Sequence, residues 1–192
     1  VILKDQGNYK KAELLLRRAI EMNPDYAIAY SNLGNILKDH EKLKEAEIST
    51  RKAIKINPHF ANAHYNLGTI LKDLGKLKEA ELSTRKAIEI KPAYAEAHLN
   101  LGTILKDLGN LEEAELSTQK AIEINPNSAQ AYFNLATILT EIDRQQEALK
   151  CYQKVIELNQ KYPNIYNSVT RFLKNSDLSR LNPQDLKEIL NI

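Results

Sequence analysis

A period of 34 residues constrains the fold of this chain more than any other feature. Residues 63–92 and 97–126 are identical at 25 of 30 aligned positions, as expected for a recent duplication. The same step recurs at Pro24, Pro58, Pro92 and Pro126, and at Ala12, Ala46, Ala80, Ala114 and Ala148. A fixed period of this length is typical of proteins that stack copies of one supersecondary unit. The sequence therefore predicts a repeat protein.

Each copy has the pattern of two amphipathic helices, and the second copy shows the first of them, helix A. Tyr30, Leu33 and Leu37 are spaced by three and four residues, which predicts one apolar helix face within residues 27–39. Gly34 lies on that face. Because glycine has no side chain, a partner helix can approach closely there, at a cost of about 1 kcal/mol in helix propensity.

The second helix of each copy, helix B, follows a polar turn that contains Gly75 or Gly109 in two of the copies. Ala46 and Ala53 lie on one predicted face of helix B, and their small side chains permit tight helix crossing. Helix B is predicted to end before Pro58, because proline disfavours helix in the residue that precedes it. Each copy is thus predicted to be one helical hairpin.

The order Tyr30-x2-Leu33-Gly34-x2-Leu37, followed by Ala46, Ala53 and Pro58, resembles the tetratricopeptide repeat. The resemblance covers about nine-tenths of the chain, with a partial repeat at 1–26, repeats at 27–60, 61–94, 95–128 and 129–162, and a partial helix at 163–173. It implies an all-α fold, an alpha-alpha superhelix in which antiparallel helix pairs stack into a right-handed solenoid with a concave groove lined by helices A. The family's helix-B phenylalanine is replaced by Thr50, Thr84 and Thr118, which we interpret as an exchange of volume for a smaller contact.

The two ends of the chain depart from the repeat. The chain begins on Val1 without an initiator methionine, so we expect it to be a piece of a longer protein. Near the other end, Asn182-Pro183 predicts a helix start, because asparagine is a preferred N-cap and proline fits the first helical turn. An apolar face in that helix assigns residues 174–192 to a capping or connecting helix.

A polar row recurs on the face of helix A that the predicted packing leaves free. Asn32, Asn35 and Asp39 are spaced by three and four residues, so they share one helix face. An asparagine amide has two donors and an acceptor, which suits it to pair with the N–H and C=O groups of an extended peptide. The candidate peptide contacts in this row are the amides Asn32, Asn66, Asn100 and Asn134, the positions Asn35, Thr69, Thr103 and Thr137, and the carboxylates Asp39, Asp73 and Asp107.

This asparagine ladder resembles the one in the repeat domain of the O-linked N-acetylglucosamine transferase, where such asparagines bind the backbone of substrate polypeptides. The resemblance implies an extended protein or peptide segment as the partner. An alternative interpretation is inherited surface or inter-helix bonding, because duplication copies every residue. Repeats that grip chaperone C-terminal tails need basic residues where this chain has Ser31, Tyr65, Leu99 and Phe133, which disfavours that partner.

The main hypothesis is a non-catalytic protein–protein interaction module that holds an extended segment in its groove. The alternative is the substrate-recognition arm of a larger, glycosyltransferase-like enzyme, whose catalytic domain would follow Ile192. A third hypothesis is homo-oligomerisation through the end faces of the stack.

Composition argues against several other functions. The 27 Lys and Arg nearly balance the 25 Asp and Glu, with a formal net charge of +2, so nucleic acid is not predicted as a partner. No apolar run approaches the ~20 residues that a membrane span requires. The single cysteine, Cys151, fits a reducing compartment, so we predict a cytoplasmic protein that does not bind membranes.

No motif for catalysis or cofactor binding is present. The sequence has no glycine-rich phosphate loop and no Cys/His cluster, so neither a cofactor nor a metal is predicted. His64 and His98 lie on the packed face, where a packing role is the better interpretation. Cys151 is interpreted as an inert thiol. Glu45 and Glu47 point in different directions on helix B and are interpreted as a solvated charged face.

Overall fold

The computed structural model describes residues 6–158, 165–176, 179 and 181–190. Parts of the predicted segments 1–26, 129–162, 163–173 and 174–192 therefore lie outside the described residues. Within the described ranges no strand occurs, and the helices are α1 (Gln6–Met22), α2 (Ala27–Asp39), α3 (Leu43–Ile56), α4 (Ala61–Asp73), α5 (Leu77–Ile90), α6 (Ala95–Asp107), α7 (Leu111–Ile124), α8 (Ala129–Glu141), α9 (Gln145–Leu158), α10 (Ile165–Asn175) and α11 (Pro183–Leu190). Helices α2, α4, α6 and α8 are the predicted helices A, and α3, α5, α7 and α9 are their helices B. The predicted all-α fold of helix pairs is confirmed.

The chain folds into two compact units, Val1–Asn100 (unit 1) and Leu101–Ile192 (unit 2), and the boundary falls within α6. In unit 1, α2 packs against α1 and α3, and α4 packs against α3 and α5. In unit 2, α8 packs against α7 and α9. Each of these helices A therefore contacts its own helix B and the helix B that precedes it, which buries apolar faces that a single hairpin would leave exposed.

The turn from helix A to helix B requires one residue with a left-handed backbone. Gly75 and Gly109 have φ angles of 74° and 81° there, and Glu41 and Asp143 have φ angles of 60° and 59° at the same register. Glycine has no Cβ to clash in this region, so it is favoured at this position. The predicted glycine turns are confirmed, and the other two repeats hold the same turn with a less favourable residue.

The two helices of a repeat approach closely where glycine faces threonine. A Cβ placed on Gly68 would clash with Thr84 Oγ1 and would lie 3.3 Å from the backbone oxygen of Ala80. The same pairing recurs between Gly34 and Thr50 and between Gly102 and Thr118. The predicted packing of helix B against this glycine is confirmed.

The core of each unit consists of the side chains that the helices turn toward one another. Leu33, Leu37, Ala46 and Ile70 form one cluster in unit 1, and each is at most 5% exposed. The spacing of Leu33 and Leu37 predicted this face. Tyr30, on the same predicted face, is only half-buried.

The end of unit 2 closes with two helices that pack on α9. Val169 and Phe172 of α10 are buried, whereas Tyr166, which the repeat register places on the packed face, is 49% exposed. The packed face predicted for this helix is therefore buried at Val169 but not at Tyr166. The Asn182 side-chain oxygen accepts hydrogen bonds from the backbone N–H groups of Gln184 and Asp185 at 2.8 and 3.2 Å, which confirms the predicted N-cap of α11.

Candidate peptide-binding site

Asn66 lies on α4 and bonds to the helix A that precedes it. Its Nδ2 donates a hydrogen bond to Ser31 Oγ of α2 at 3.1 Å. Ser31 is 1% exposed, and Asn66 is half-buried. A primary amide has a second N–H and a carbonyl oxygen, and no described residue bonds either of them in Asn66. The bond to Ser31 thus occupies part of the amide and leaves the rest available.

Asn100, near the middle of α6, is buried more deeply, with 8% of its surface exposed. Its Nδ2 donates to Thr84 Oγ1 at 3.3 Å, and that hydroxyl donates to the backbone oxygen of Ala80 at 2.8 Å. Because the threonine hydrogen is used on Ala80, the hydroxyl oxygen accepts from the N–H side of the amide. This series of two hydrogen bonds fixes which way the Asn100 amide faces.

Asn134 occupies the same register in unit 2 and is half-buried. Its Nδ2 donates to Thr103 Oγ1 at 2.8 Å, and its Oδ1 accepts from Gln130 Nε2 at 2.9 Å. Both polar ends of this amide therefore have partners within unit 2. One N–H of the amide is not used by these two bonds.

Asn32 differs from the other three ladder asparagines. It is exposed, and no described residue bonds its side chain. The predicted free face is therefore found at Asn32 and at the exposed Asn35, but Asn66, Asn100 and Asn134 are partly covered. The physical reason is the preceding repeat, whose hydroxyl groups accept hydrogen bonds from these amides, whereas α1, the described helix before α2, carries Leu16 at the register of Thr84.

The carboxylate row is exposed, whereas the threonines of the other candidate row are half-buried. Thr69 Oγ1 and Thr137 Oγ1 donate to the backbone oxygens of Asn66 and Asn134, each at 2.8 Å. These hydroxyls keep lone pairs that can accept from a ligand. The exposed carboxylates lie beside lysines of their own helices, with separations of 3.5 Å for Lys38–Asp39, 4.0 Å for Lys72–Asp73 and 4.0 Å for Lys106–Asp107. Such exposed pairs contribute little to stability, so these charges remain available to a partner.

An aromatic pair lies next to Asn66 in unit 1. The rings of Tyr65 and Tyr94 have centroids 5.1 Å apart, and Lys91 Nζ lies 4.4 Å from the Tyr94 centroid. Burial raises the pKa of Tyr94 to about 12, and the neighbouring Tyr65 and Glu96 act in the same direction. The Tyr94 hydroxyl is therefore protonated at neutral pH.

Two residues that hold the ladder were not recognised from the sequence as part of it. Ser31 was considered only as a position that lacks a basic residue, and Thr84 only as a smaller substitute for phenylalanine. In the structure the hydroxyls of Ser31 and Thr84 accept hydrogen bonds from the side-chain amides of Asn66 and Asn100. The available signal was chemical, because a buried hydroxyl beside a ladder asparagine supplies the acceptor that a buried amide needs.

His64 and His98 contact backbone oxygens, and Cys151 is largely covered by the protein. The Nε2 atoms of His64 and His98 lie 2.9 Å from the backbone oxygens of Pro58 and Pro92, to which a protonated nitrogen donates. Burial raises the pKa of Cys151 to about 11, with carboxylates nearby acting in the same direction, so the thiol stays protonated and weakly nucleophilic.

Among the described residues no group of His, Cys, Asp and Glu is arranged to hold a metal ion. None of the helices that the structure describes is both long and apolar enough to span a bilayer.

Glu45 and Glu47 differ in environment. The Glu45 side chain is 56% exposed, as predicted for a solvated face, and lies 3.5 Å from Arg17. The Glu47 side chain is 14% exposed and accepts from Arg51 and Lys76, each at 2.9 Å. Burial acts to raise the pKa of Glu47, but the hydrogen bonds from Lys76 and Arg51 outweigh it and lower the pKa below its ordinary value. Solvation was thus the wrong interpretation for Glu47, because the next repeat covers it.

Models of the tetratricopeptide repeat match the sequence from residue 2 to residue 150. The matched segments are 2–40, 27–60, 61–94, 95–128 and 118–150. No curated protein matches the sequence.

Solved structures with a similar fold include several repeat proteins. MamA is 23% identical, with a match over 81% of this protein and 91% of MamA and a TM-score of 0.72. YrrB, described as a TPR protein with an unusual peptide-binding site, is 25% identical, with a match over 85% of this protein and 84% of YrrB and a TM-score of 0.70. TTC0263, a thermophilic TPR protein of Thermus thermophilus, is 22% identical, with a match over 88% of this protein and 92% of TTC0263 and a TM-score of 0.72. The shared fold supports a scaffold for protein–protein interaction.

Proposed function

The chain belongs to the tetratricopeptide repeat family, and on that premise we propose that it is a non-catalytic module that binds an extended segment of another protein along its helix-A faces. In unit 1 the contacts come from Asn32, Asn66 and Asn100. In unit 2 they come from Asn134. The amides read the peptide backbone, so the segment is held largely without regard to its sequence.

The observation that carries this proposal is the fixed orientation of Asn66 and Asn100. Each amide gives one N–H to a hydroxyl of the preceding repeat, Ser31 or Thr84. The rest of the Asn66 amide is left for a backbone carbonyl or N–H group of the peptide. A side chain whose orientation is already fixed loses less conformational entropy on binding, so each new hydrogen bond contributes more net affinity.

The residues around the amides supply selectivity. Thr69 lies one turn after Asn66, with a hydroxyl that can accept from the peptide. Asp73 and Lys72 lie a further turn along α4 and favour side chains of opposite charge. Peptides with alternating charge are therefore expected to bind more tightly than uncharged ones, and this preference is expected to weaken with salt.

The peptide-binding site described for YrrB supports peptide as the class of ligand. The competing explanation for the asparagines is structural, because inter-repeat hydrogen bonds alone give them a use. A test must therefore separate peptide affinity from stability.

The test is the double variant Asn66→Ala, Asn100→Ala, titrated with the tightest-binding sequence from an array of short unstructured peptides. Two lost hydrogen bonds are expected to weaken binding by roughly 1–3 kcal/mol, since each is worth about 0.5–1.5 kcal/mol. N-methylation of the peptide backbone is expected to weaken binding to the wild type and to have less effect on the variant. Unchanged affinity in the double variant would overturn the proposal.

Two matched variants separate binding from folding. Asn127→Ala removes an exposed asparagine outside the ladder and is expected to leave affinity unchanged. Ser31→Ala removes the acceptor of Asn66 but keeps its amide. We expect an intermediate loss of affinity for Ser31→Ala, with helicity retained in all variants by circular dichroism. If Ser31→Ala and the double variant both lose stability but keep the affinity of the wild type, the asparagines have a purely structural role.

A further inference from the structure

Exposed aliphatic side chains occupy one register on the helices B of unit 1. Leu14 of α1, Ile48 of α3 and Leu82 of α5 are separated by 34 residues and are 51%, 71% and 70% exposed. Single exposed hydrophobic residues are normal on protein surfaces and need no explanation. Three at the same register of successive repeats form a patch, which we call the outer patch.

Two apolar grooves accompany the outer patch. One, of about 340 Å³, is lined by Ile48 of α3 and by Leu33 and Leu37 of α2. The other, of about 410 Å³, is lined by Leu82 of α5 and by Leu67 of α4. Side chains that belong to the core therefore form the walls of open grooves. A volume of this size admits the large aliphatic side chains of a partner.

Ion pairs hold the neighbouring helices B together and neutralise their carboxylates. Arg51 of α3 lies 2.8 Å from Glu79 of α5, and Arg17 of α1 lies 3.5 Å from Glu45 of α3. Glu45 and Glu79, each three residues before the aliphatic side chain, are thus paired with arginines.

Basic residues border the outer patch on both sides. Positions four apart share one face of a helix. Four residues before the aliphatic side chains are Lys10, Lys44 and Lys78, and four residues after them are Arg18, Lys52 and Lys86. Lys10, Arg18, Lys44 and Lys52 pair with no carboxylate among the described residues, whereas Lys78 and Lys86 lie 3.7 and 2.6 Å from Glu81 and Glu89. The surface is therefore aliphatic along its centre and positive along its edges.

Duplication alone does not account for this pattern. Where a residue of the pattern differs between repeats of unit 1, its side chain is still aliphatic or basic. Ile48 replaces leucine, and Arg18 replaces lysine, at registers that remain aliphatic and basic. In unit 2, Leu116 keeps the aliphatic position and is 66% exposed, but Glu112 replaces the lysine before it. Of the five differences between residues 63–92 and 97–126, this exchange of Lys78 for Glu112 is the one that falls in the border. Both rows of the basic border are therefore present in unit 1, whereas beside Leu116 of unit 2 only Lys120 of the later row remains.

We propose that the outer patch docks an acidic amphipathic helix of a partner protein. The aliphatic side of such a helix fits the grooves beside Ile48 and Leu82, and its carboxylates meet Lys44 and Lys52. A second copy of this patch would bring basic rows against each other, which disfavours self-association through this surface. An anionic lipid surface matches the charge, but it offers no side chains to fill the grooves.

The test measures binding of the 192-residue protein to a synthetic helical peptide with leucines on one face and glutamates on the others. For the double variant Ile48→Ser, Leu82→Ser we expect at least a roughly tenfold higher Kd, because buried aliphatic anchors dominate such interfaces. Leu116→Ser is the matched control, since Leu116 is similarly exposed at the same register but follows Glu112 where the unit 1 residues follow a lysine, and we expect less than a roughly twofold change. A twin peptide with lysines in place of the glutamates is expected to bind at least roughly tenfold more weakly, and added salt is expected to remove that difference.

Several outcomes would overturn the proposal. One is an equal loss of affinity for the acidic peptide in Leu116→Ser and in the double variant. Another is an equal affinity of the wild type for the two peptides. Binding to phosphatidylserine vesicles without binding to the acidic peptide would show a lipid surface instead. A dimer in light scattering that the double variant abolishes would show self-association. Retained acidic-peptide binding in the Asn66→Ala, Asn100→Ala variant is expected, because the outer patch is separate from the ladder.

Discussion

Two rows of side chains repeat every 34 residues in unit 1, and the fold treats them differently. Asn100, in the helix-A row, is 8% exposed and bonds to the preceding repeat. Leu82, in the helix-B row, is 70% exposed. Recurrence in sequence is equal for both, so it does not reveal which row the fold requires. Contacts do reveal it: Asn66 and Asn100 bond to the preceding repeat whatever else they bind, whereas Leu82 is mostly exposed.

The largest expected effect comes from forcing helix A away from helix B, which would disrupt both rows. Gly68→Leu is expected to lower the free energy of unfolding by about 3 kcal/mol, because a side chain there clashes with Thr84. Urea denaturation measures the loss. The substitution Gly68→Ala is expected to lower the free energy of unfolding less in a Thr84→Ala background than in the wild-type protein. A Gly68→Leu variant of normal stability would show that the helices do not pack at this glycine.

The asparagine row is tested by comparing its most buried and most exposed members. Asn100→Ala is expected to cost about 1–2 kcal/mol of unfolding free energy, because it removes a buried hydrogen bond to Thr84. Asn32→Ala is expected to change stability by less than about 0.5 kcal/mol, as for ordinary surface sites. Equal effects in urea denaturation would mean that the inter-repeat bond contributes nothing.

The ion pairs between helices B are tested through pH. The pKa of Glu47 is lower in the folded protein than its ordinary value of 4.5, so its contribution is present above that value and is lost as the pH falls through the lowered pKa. Glu47→Gln is expected to cost about 1 kcal/mol near pH 7, a value reduced by the solvent exposure of its partners, and less under acid conditions. Stability curves from neutral to acid pH measure the difference.

Glu45→Gln is the matched control for Glu47→Gln. The Glu45 side chain is 56% exposed, and its separation from Arg17 is 3.5 Å. Its substitution is expected to change stability very little at any pH. The same pH dependence in both variants would show that the burial of Glu47 has no influence.

The smallest expected change in stability is that of the exposed leucines in the helix-B row, and it tests whether they pack in the fold. Leu82→Ser and Leu116→Ser are each expected to change the unfolding free energy by less than about 0.5 kcal/mol, because both side chains are mostly exposed already. Leu71→Ala, at a fully buried position, is expected to cost about 2–5 kcal/mol in the same assay. A large loss for Leu82→Ser would mean that this side chain packs in the fold, and the outer patch would lose its basis.

Much of the fold follows from periodicity and from the special properties of glycine and proline. The apolar spacing at Leu33 and Leu37 predicted the buried face of α2, and Gly75 predicted the turn that follows α4. Such features are local, because helix spacing and backbone angles depend on neighbouring residues. The same reasoning placed the ladder on helix A but did not predict how deeply each of its residues is buried. It also misplaced Tyr166, whose helix lies where the repeat becomes irregular.

The partners of the ladder could not be predicted from residue type alone. Asn66 and Asn100 are in nearly identical copies, yet one bonds to Ser31 and the other to Thr84. The choice depends on what the preceding repeat offers, since residue 65, at the register of Ser31, is a tyrosine. In the same way, Glu47 is covered by a lysine from the next repeat.

The sequence by itself determined the unit: a 34-residue helical hairpin with a fixed apolar face, a glycine contact and a turn. Only the tertiary structure decided which recurring side chains are used by the stack and which remain at the surface. The physical reason is that a hydrogen bond or an ion pair between repeats depends on separations of about 3 Å across different helices. The period brings the helices together, and the side chains present at each junction decide the bond.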